Sequence, residues 1–137
     1  MTYEELITAA RRAADLAYAP YSHFRVGAAA LTRSGDVIVG CNVENAAYSP
    51  TVCAERVAVF SAFAQGNRHI VAVAIVTPSG ATCRPCGTCR QVLSEIAPDA
   101  DIVLEDGQGG LLVERVQDLL PKAFGPANLT AETPVKA

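Results

Sequence analysis

The chain has 137 residues, half of them apolar and only 18% charged, with a net charge of −3. That length predicts a single domain with a real core. The acidic balance, with no basic run longer than Arg11-Arg12, argues against a nucleic-acid partner. A charged fraction below the usual quarter favours a surface partly covered by another subunit over an oversized core.

The N-terminal Met1-Thr2-Tyr3-Glu4-Glu5 lacks the basic-then-apolar order of an export signal. The longest apolar run, Ile70 to Val76, is too short to cross a bilayer, so no membrane partner is expected. Five cysteines is an odd count, and three crowd between Cys83 and Cys89. They read as reduced thiols of a cytoplasmic protein rather than as disulfides.

Thr2 and Glu5 make a capping box, which predicts a helix beginning at Tyr3. Leu6, Ile7, Ala10, Ala14, Ala17 and Tyr18 give it one apolar face, and Pro20 is expected to end it. Arg25–Leu31 and Val37–Val43 read as two strands joined by the turn Thr32–Asp36. Asn42–Pro50 is polar and irregular. Cys53–Ala64 has helical length and composition, and stops at Gln65-Gly66-Asn67. Ile70–Thr77, apolar on both faces, predicts a central strand covered on both sides. Cys86–Ile96 reads as a further helix and Asp101–Glu105 as a short strand. Leu111–Val113 is expected as an edge strand, followed by a short helix at Glu114–Leu120. Residues 1–127 therefore form one domain, with 128–137 expected to be a loose tail. Helices alternating with strands after an initial hairpin predict an α/β fold, a mixed sheet with helices on both faces.

Two motifs carry chemistry. Thr51-Val52-Cys53-Ala54-Glu55-Arg56 puts a thiol and a carboxylate two residues apart at a helix start. Pro85-Cys86-Gly87-Thr88-Cys89-Arg90 puts a Cys-x-x-Cys pair at another. Cys53, Cys86 and Cys89 supply three soft ligands for a tetrahedral metal and leave a fourth position for water, as catalytic zinc sites do. Helix N-termini lower a thiol's pKa and so favour the ligating thiolate. Glu55 is better placed to move protons than to close the site as a fourth ligand. Three thiolates leave the site with excess negative charge, which Arg56, ahead of Arg90, is the candidate to offset. Cys83-x-x-Cys86 is also correctly spaced for metal, although Pro85 and the helix after Cys89 favour the later pair. A structural zinc knot and a thioredoxin-like redox pair at Cys86 and Cys89 are the competing readings; the second leaves Cys53 and Glu55 unexplained.

The pattern Cys-x-Glu followed by Pro-Cys-x-x-Cys is a known signature of zinc deaminases. With it in place, the chain resembles the small, all-cysteine cytidine deaminases. Pro20-Tyr21-Ser22-His23-Phe24-Arg25-Val26-Gly27-Ala28-Ala29 is similar to that family's N-terminal signature. Gly40-Cys41-Asn42-Val43-Glu44-Asn45-Ala46 is similar to its nucleoside-binding segment, and Leu119-Leu120-Pro121-Lys122-Ala123-Phe124 to its C-terminal end. The resemblance implies a three-layer α/β/α cytidine-deaminase-like fold with a mixed five-stranded sheet. It implies one Zn²⁺ per subunit and hydrolysis of cytidine and 2'-deoxycytidine to the uridines plus ammonia. Phe24 would pack on the pyrimidine, where residue type alone allows a core aromatic. Asn42 and Glu44 would bind the ribose hydroxyls, where residue type alone allows a polar turn. The backbone at Ala54 would meet the base's carbonyl edge. Ala46, Tyr48 and Phe124 would complete a neighbour's site within a homotetramer. A blasticidin-type deaminase of the same fold, and from another class the thiol redox protein, stand as alternatives.

Overall fold

The computed structural model describes residues 1–130. It comprises α1 (Tyr3–Ala14), β1 (Gly27–Thr32), β2 (Val37–Cys41), α2 (Ala54–Ala64) and β3 (Ile70–Val76). These are followed by α3 (Gly87–Ile96), β4 (Asp101–Glu105), β5 (Leu111–Arg115) and α4 (Val116–Leu119). A 3₁₀ turn, Pro126–Leu129, takes in the first two residues of the expected tail; 131–137 lie outside the described residues. No helix among the described residues is long and apolar enough to cross a membrane.

The five strands form one sheet in the order β2-β1-β3-β4-β5, with β3 and β4 parallel and every other neighbouring pair antiparallel. Alternation along the strands sorts side chains between two faces. Ala29, Ala72, Ala74, Val76 and Val103 pack with Leu6, Ile7 and Ala10 of α1. Ala28, Ala30, Val73, Ile75, Ile102 and Leu104 pack with Ala58 and Val59 of α2, Leu93 of α3 and Val116 of α4. The result is a three-layer α/β/α sandwich. Each fully buried Val, Leu or Ile side chain here contributes roughly 1.5–3 kcal/mol, and each alanine methyl less.

This topology explains why the two motifs meet. Antiparallel pairing of β1 with both β2 and β3 makes β2 run parallel to β3, and β3 is parallel to β4. Helices α2 and α3 are therefore both crossovers between parallel strands, packed on one face of the sheet. Both must begin at the same edge of the sheet.

Two close approaches set the depth of the layers. A Cβ on Gly27 would lie 1.9 Å from the Ala10 carbonyl oxygen, so only glycine lets α1 sit against β1. A Cβ on Gly40 would lie 2.5 Å from both the Ala54 carbonyl oxygen and the Ala58 nitrogen, so Gly40 seats the first turn of α2 against β2.

The capping box at the start of α1 is present in full. The helix nevertheless ends at Ala14 with Asp15 as its cap, well short of Pro20. Long-range backbone pairing takes over: the Tyr18 N–H donates to the Asn42 carbonyl at 3.0 Å, and the Glu44 N–H donates to the Tyr18 carbonyl at 2.8 Å. Residues 42–43 leave the hairpin ladder for the same reason, while the Asn42 N–H still donates to the Val26 carbonyl at 3.2 Å. Val43 forms isolated bridges to Tyr18 on one side and Val52 on the other. At the C-terminal end β5 runs two residues beyond its expected limit, to Arg115, which shortens α4.

Candidate active site

Cys53 and Cys86 are the N-cap residues of α2 and α3, both in extended backbone conformation, and neither uses its side chain to cap its helix. Their sulfurs are free to turn toward each other at the positive ends of two helices. Cys89 lies one turn beyond Cys86, the i, i+3 spacing that puts both side chains on one face of α3. The three sulfurs all lie within 4.8 Å of one another, and Cys53 Sγ is 3.7 Å from Cys86 Sγ. Thiolates on a tetrahedral zinc, at Zn–S distances of about 2.3 Å, stand roughly 3.8 Å apart. The donor set therefore fits the ion. Cys83 stays outside this cluster.

The surroundings favour thiolate at Cys53. The Cys53 thiol is pulled down to about 5, first by its hydrogen bond with Cys89 and then by Arg56, while burial opposes the shift. The same Cys53–Cys89 hydrogen bond raises the Cys89 thiol, with burial adding to it. Arg56 Nη2 donates to Cys53 Sγ at 3.3 Å. Arg90 instead spends its guanidinium on two carbonyls, Nε on Pro85 at 2.8 Å and Nη1 on Leu119 at 3.0 Å.

Glu55, in the first turn of α2, is 4% exposed. Burial pushes its carboxyl upward, and the Cys53 charge adds to the rise. A carboxyl so placed readily holds a proton, as a proton carrier must.

Above the thiols opens a cavity of about 300 Å³ whose walls include Phe24, Asn42, Glu44, Ala54, Glu55 and Cys83. The Cys83 thiol is pushed up to about 11, first by burial and then by the Glu55 and Cys53 charges, so it stays neutral. Phe24 is 53% exposed, which removes the reading of a core aromatic. Asn42 is buried: its Oδ1 accepts from the Val26 N–H at 2.8 Å, and its Nδ2 donates to the Phe24 carbonyl at 2.7 Å. One amide hydrogen of Asn42 is left for a ligand. Glu44 accepts from the backbone N–H groups of Tyr21 and Ser22 and from the Ser22 hydroxyl, and these bonds, that of the hydroxyl first, hold its carboxyl below the usual range. Ala46, Tyr48 and Phe124 are exposed and do not line this cavity within the one chain.

Sequence reasoning assigned no role to Ser22 or Arg84, both polar residues of the wall. Ser22 reaches Glu44 across 22 residues, and Arg84 forks onto Glu114 of β5 at 2.6–3.1 Å. Neither partner is near in sequence, so no local pattern marks them.

A three-thiol cluster beside a buried carboxylate at the floor of an open cavity is the layout of a hydrolytic zinc enzyme. Residues 1–105 match the family described as the cytidine and deoxycytidylate deaminase zinc-binding region. The chain is 46% identical over 125 residues to the cytidine deaminase of Halalkalibacterium halodurans, covering 90% of this chain and 95% of that one. It is 44% identical over 129 residues to the cytidine deaminase of Mycobacterium tuberculosis, covering 90% of each. The crystal structure of the Burkholderia pseudomallei cytidine deaminase superposes with a TM-score of 0.86 at 50% identity, over 90% of this chain and all of that one. That of M. tuberculosis gives 0.81 at 43% identity, over 91% and 98%. The chain belongs to the zinc-binding cytidine and deoxycytidylate deaminase family. Neither the thiol-redox nor the blasticidin-type alternative is favoured by these likenesses.

Proposed function

We propose that this enzyme hydrolyses cytidine and 2'-deoxycytidine to uridine and 2'-deoxyuridine, with Cys53, Cys86 and Cys89 holding one zinc ion. The observation that carries the reading is the juxtaposition of the three thiols with buried Glu55 on the floor of a cavity walled by Phe24, Asn42 and Glu44. When bound, zinc supplies the Lewis acidity that makes a water acidic near neutral pH. Glu55 takes a proton from the attacking water and passes it to N3 as the C4–O bond forms. It then takes the remaining proton from the C4 hydroxyl and gives it to the departing amine as the C4–N bond breaks and the C4 carbonyl forms, leaving uridine and ammonia. One carboxylate serves as base and then acid, which suits a group whose pKa burial has raised.

Phe24 lies against the pyrimidine, the Ala54 backbone meets its carbonyl edge, and Asn42 and Glu44 take the ribose hydroxyls. Arg56 offsets thiolate charge through its bond to Cys53. We read the working form as a cytoplasmic homotetramer in which a neighbour supplies Ala46, Tyr48 and Phe124. The exposure of Tyr48 (73%) and Phe124 (59%) in the single chain supports this, since large apolar side chains left in water suit an interface.

The test follows cytidine absorbance over time with zinc-loaded enzyme, before and after a chelator. Conversion to uridine that the chelator stops and added zinc restores is the expected result. Absence of turnover with one zinc per chain would remove cytidine as the substrate.

A further inference from the structure

The residue proposed to lie against the base is held by its backbone rather than by packing. The Phe24 N–H donates to Ser22 Oγ at 3.0 Å, and the Phe24 carbonyl accepts from Asn42 Nδ2 at 2.7 Å. Ser22 Oγ donates in turn to Glu44 Oε2. The other oxygen of that carboxylate accepts from the N–H groups of Tyr21 at 3.0 Å and Ser22 at 3.1 Å. Both backbone polar groups of Phe24 therefore run to the two residues assigned to the ribose, one directly and one through Ser22.

A hydroxyl has one hydrogen and two lone pairs, so Ser22 makes both bonds at once, and among the described residues the Phe24 N–H has no other acceptor. Between Ser22 and Phe24 stands His23 at φ 57°, left-handed backbone that is uncommon for a residue with a side chain. Such a conformation persists where its surroundings over-determine it. Here the surroundings are the Glu44 clamp on one side and the His23 N–H to Ala19 carbonyl bond, 3.0 Å, on the other.

We infer that Ser22 is a positioning residue that couples base stacking to sugar binding, its hydroxyl tying the Phe24 backbone to the Glu44 carboxylate. This rests on the nucleoside reading of the cavity. Ser22 is exposed, so losing its oxygen opens no core cavity, and the damage falls on the geometry of the wall. Binding weakens while the thiols and Glu55, carried by the helices, keep their places.

The experiment compares steady-state kinetics of wild type, Ser22→Ala and Ser22→Thr on cytidine and on 2',3'-dideoxycytidine, with zinc content measured for each. Ser22→Ala is expected to raise KM roughly tenfold on both substrates, the size of one lost hydrogen bond to a charged group. Its kcat should change by less than about threefold at unchanged zinc content, and Ser22→Thr, which keeps the hydroxyl, should recover most of the loss. An effect on cytidine alone would make Ser22 a direct sugar contact and overturn the coupling. Equal impairment of the Ala and Thr variants, or lost zinc, would also overturn it. Should wild type fail to turn over cytidine, the nucleoside reading falls and this inference falls with it. Should wild type be active and Ser22→Ala match it, only the coupling falls.

Discussion

Where the three thiols meet, position comes from helices; where Phe24, Asn42 and Glu44 meet, it comes from hydrogen bonds between loops. Cys53, Cys86 and Cys89 hang from the first turns of α2 and α3, whose far sides are fastened in the core by Ala58, Val59 and Leu93. The opposite wall is irregular backbone joined by two isolated bridges at Val43 and by the side chains of Ser22, Asn42 and Glu44. The division has a chemical sense. Metal ligands must hold their geometry closely, and secondary structure does that better than loops. A wall that must admit and release a ligand suits weaker, more numerous restraints.

Substitutions at the two ends should therefore fail differently. Cys86→Ala should abolish zinc retention and lower turnover by on the order of 10⁴-fold, because water without the ion is far less acidic. Cys83→Ala should keep the metal. Metal analysis of purified protein checks both, and zinc lost from the Cys83 variant would redraw the ligand set. Asn42→Ala, at the loop end, should keep zinc while raising KM tenfold or more. It should also cost about 1–3 kcal/mol of stability, since the buried Val26 N–H loses its acceptor. Thermal melts beside kinetics check this, and a normal KM would detach Asn42 from substrate binding. Arg56→Ala should release zinc to a chelator up to roughly tenfold faster, the loss of one charge-assisted bond at Cys53, and shift the pH–rate profile. An unchanged release rate and profile would assign charge compensation elsewhere. Phe124→Ala should give the smallest effect, a few-fold rise in KM. Assembling it with a Glu55→Gln chain should restore some fully equipped sites if a neighbour supplies Phe124. Strict averaging of the two parents' activities would count against sharing.

The same contrast explains what could be read from the residues alone. Ile70–Val76 announces a central strand because it is apolar on both faces, and the Cys86/Cys89 spacing announces one helix face because three residues is nearly a turn. Helix-borne parts of the site thus show themselves through local periodicity. The loop-borne parts do not. Asp15-Leu16-Ala17-Tyr18 could have continued α1, but in the fold Tyr18 pairs with residues 42–44 instead. Asn42 looks like a turn residue until the chain folds and brings the backbone of Phe24 and Val26 to its amide. Ser22 carries no local mark because its partner, Glu44, lies 22 residues away. Resemblance to a family pointed to Phe24, Asn42 and Glu44; hydrogen bonds tie them to one another.

On the proposed reading, holding the metal and moving the proton fall to neighbouring residues of one helix start, and Glu55→Gln separates the two tasks most directly. The variant keeps the size and burial of the side chain but cannot accept the proton. With zinc content and cytidine turnover measured on the same preparation, the account predicts one zinc per chain and turnover reduced by about 10³-fold or more. Turnover close to wild type, or zinc lost along with it, would contradict the assignment of proton transfer to Glu55.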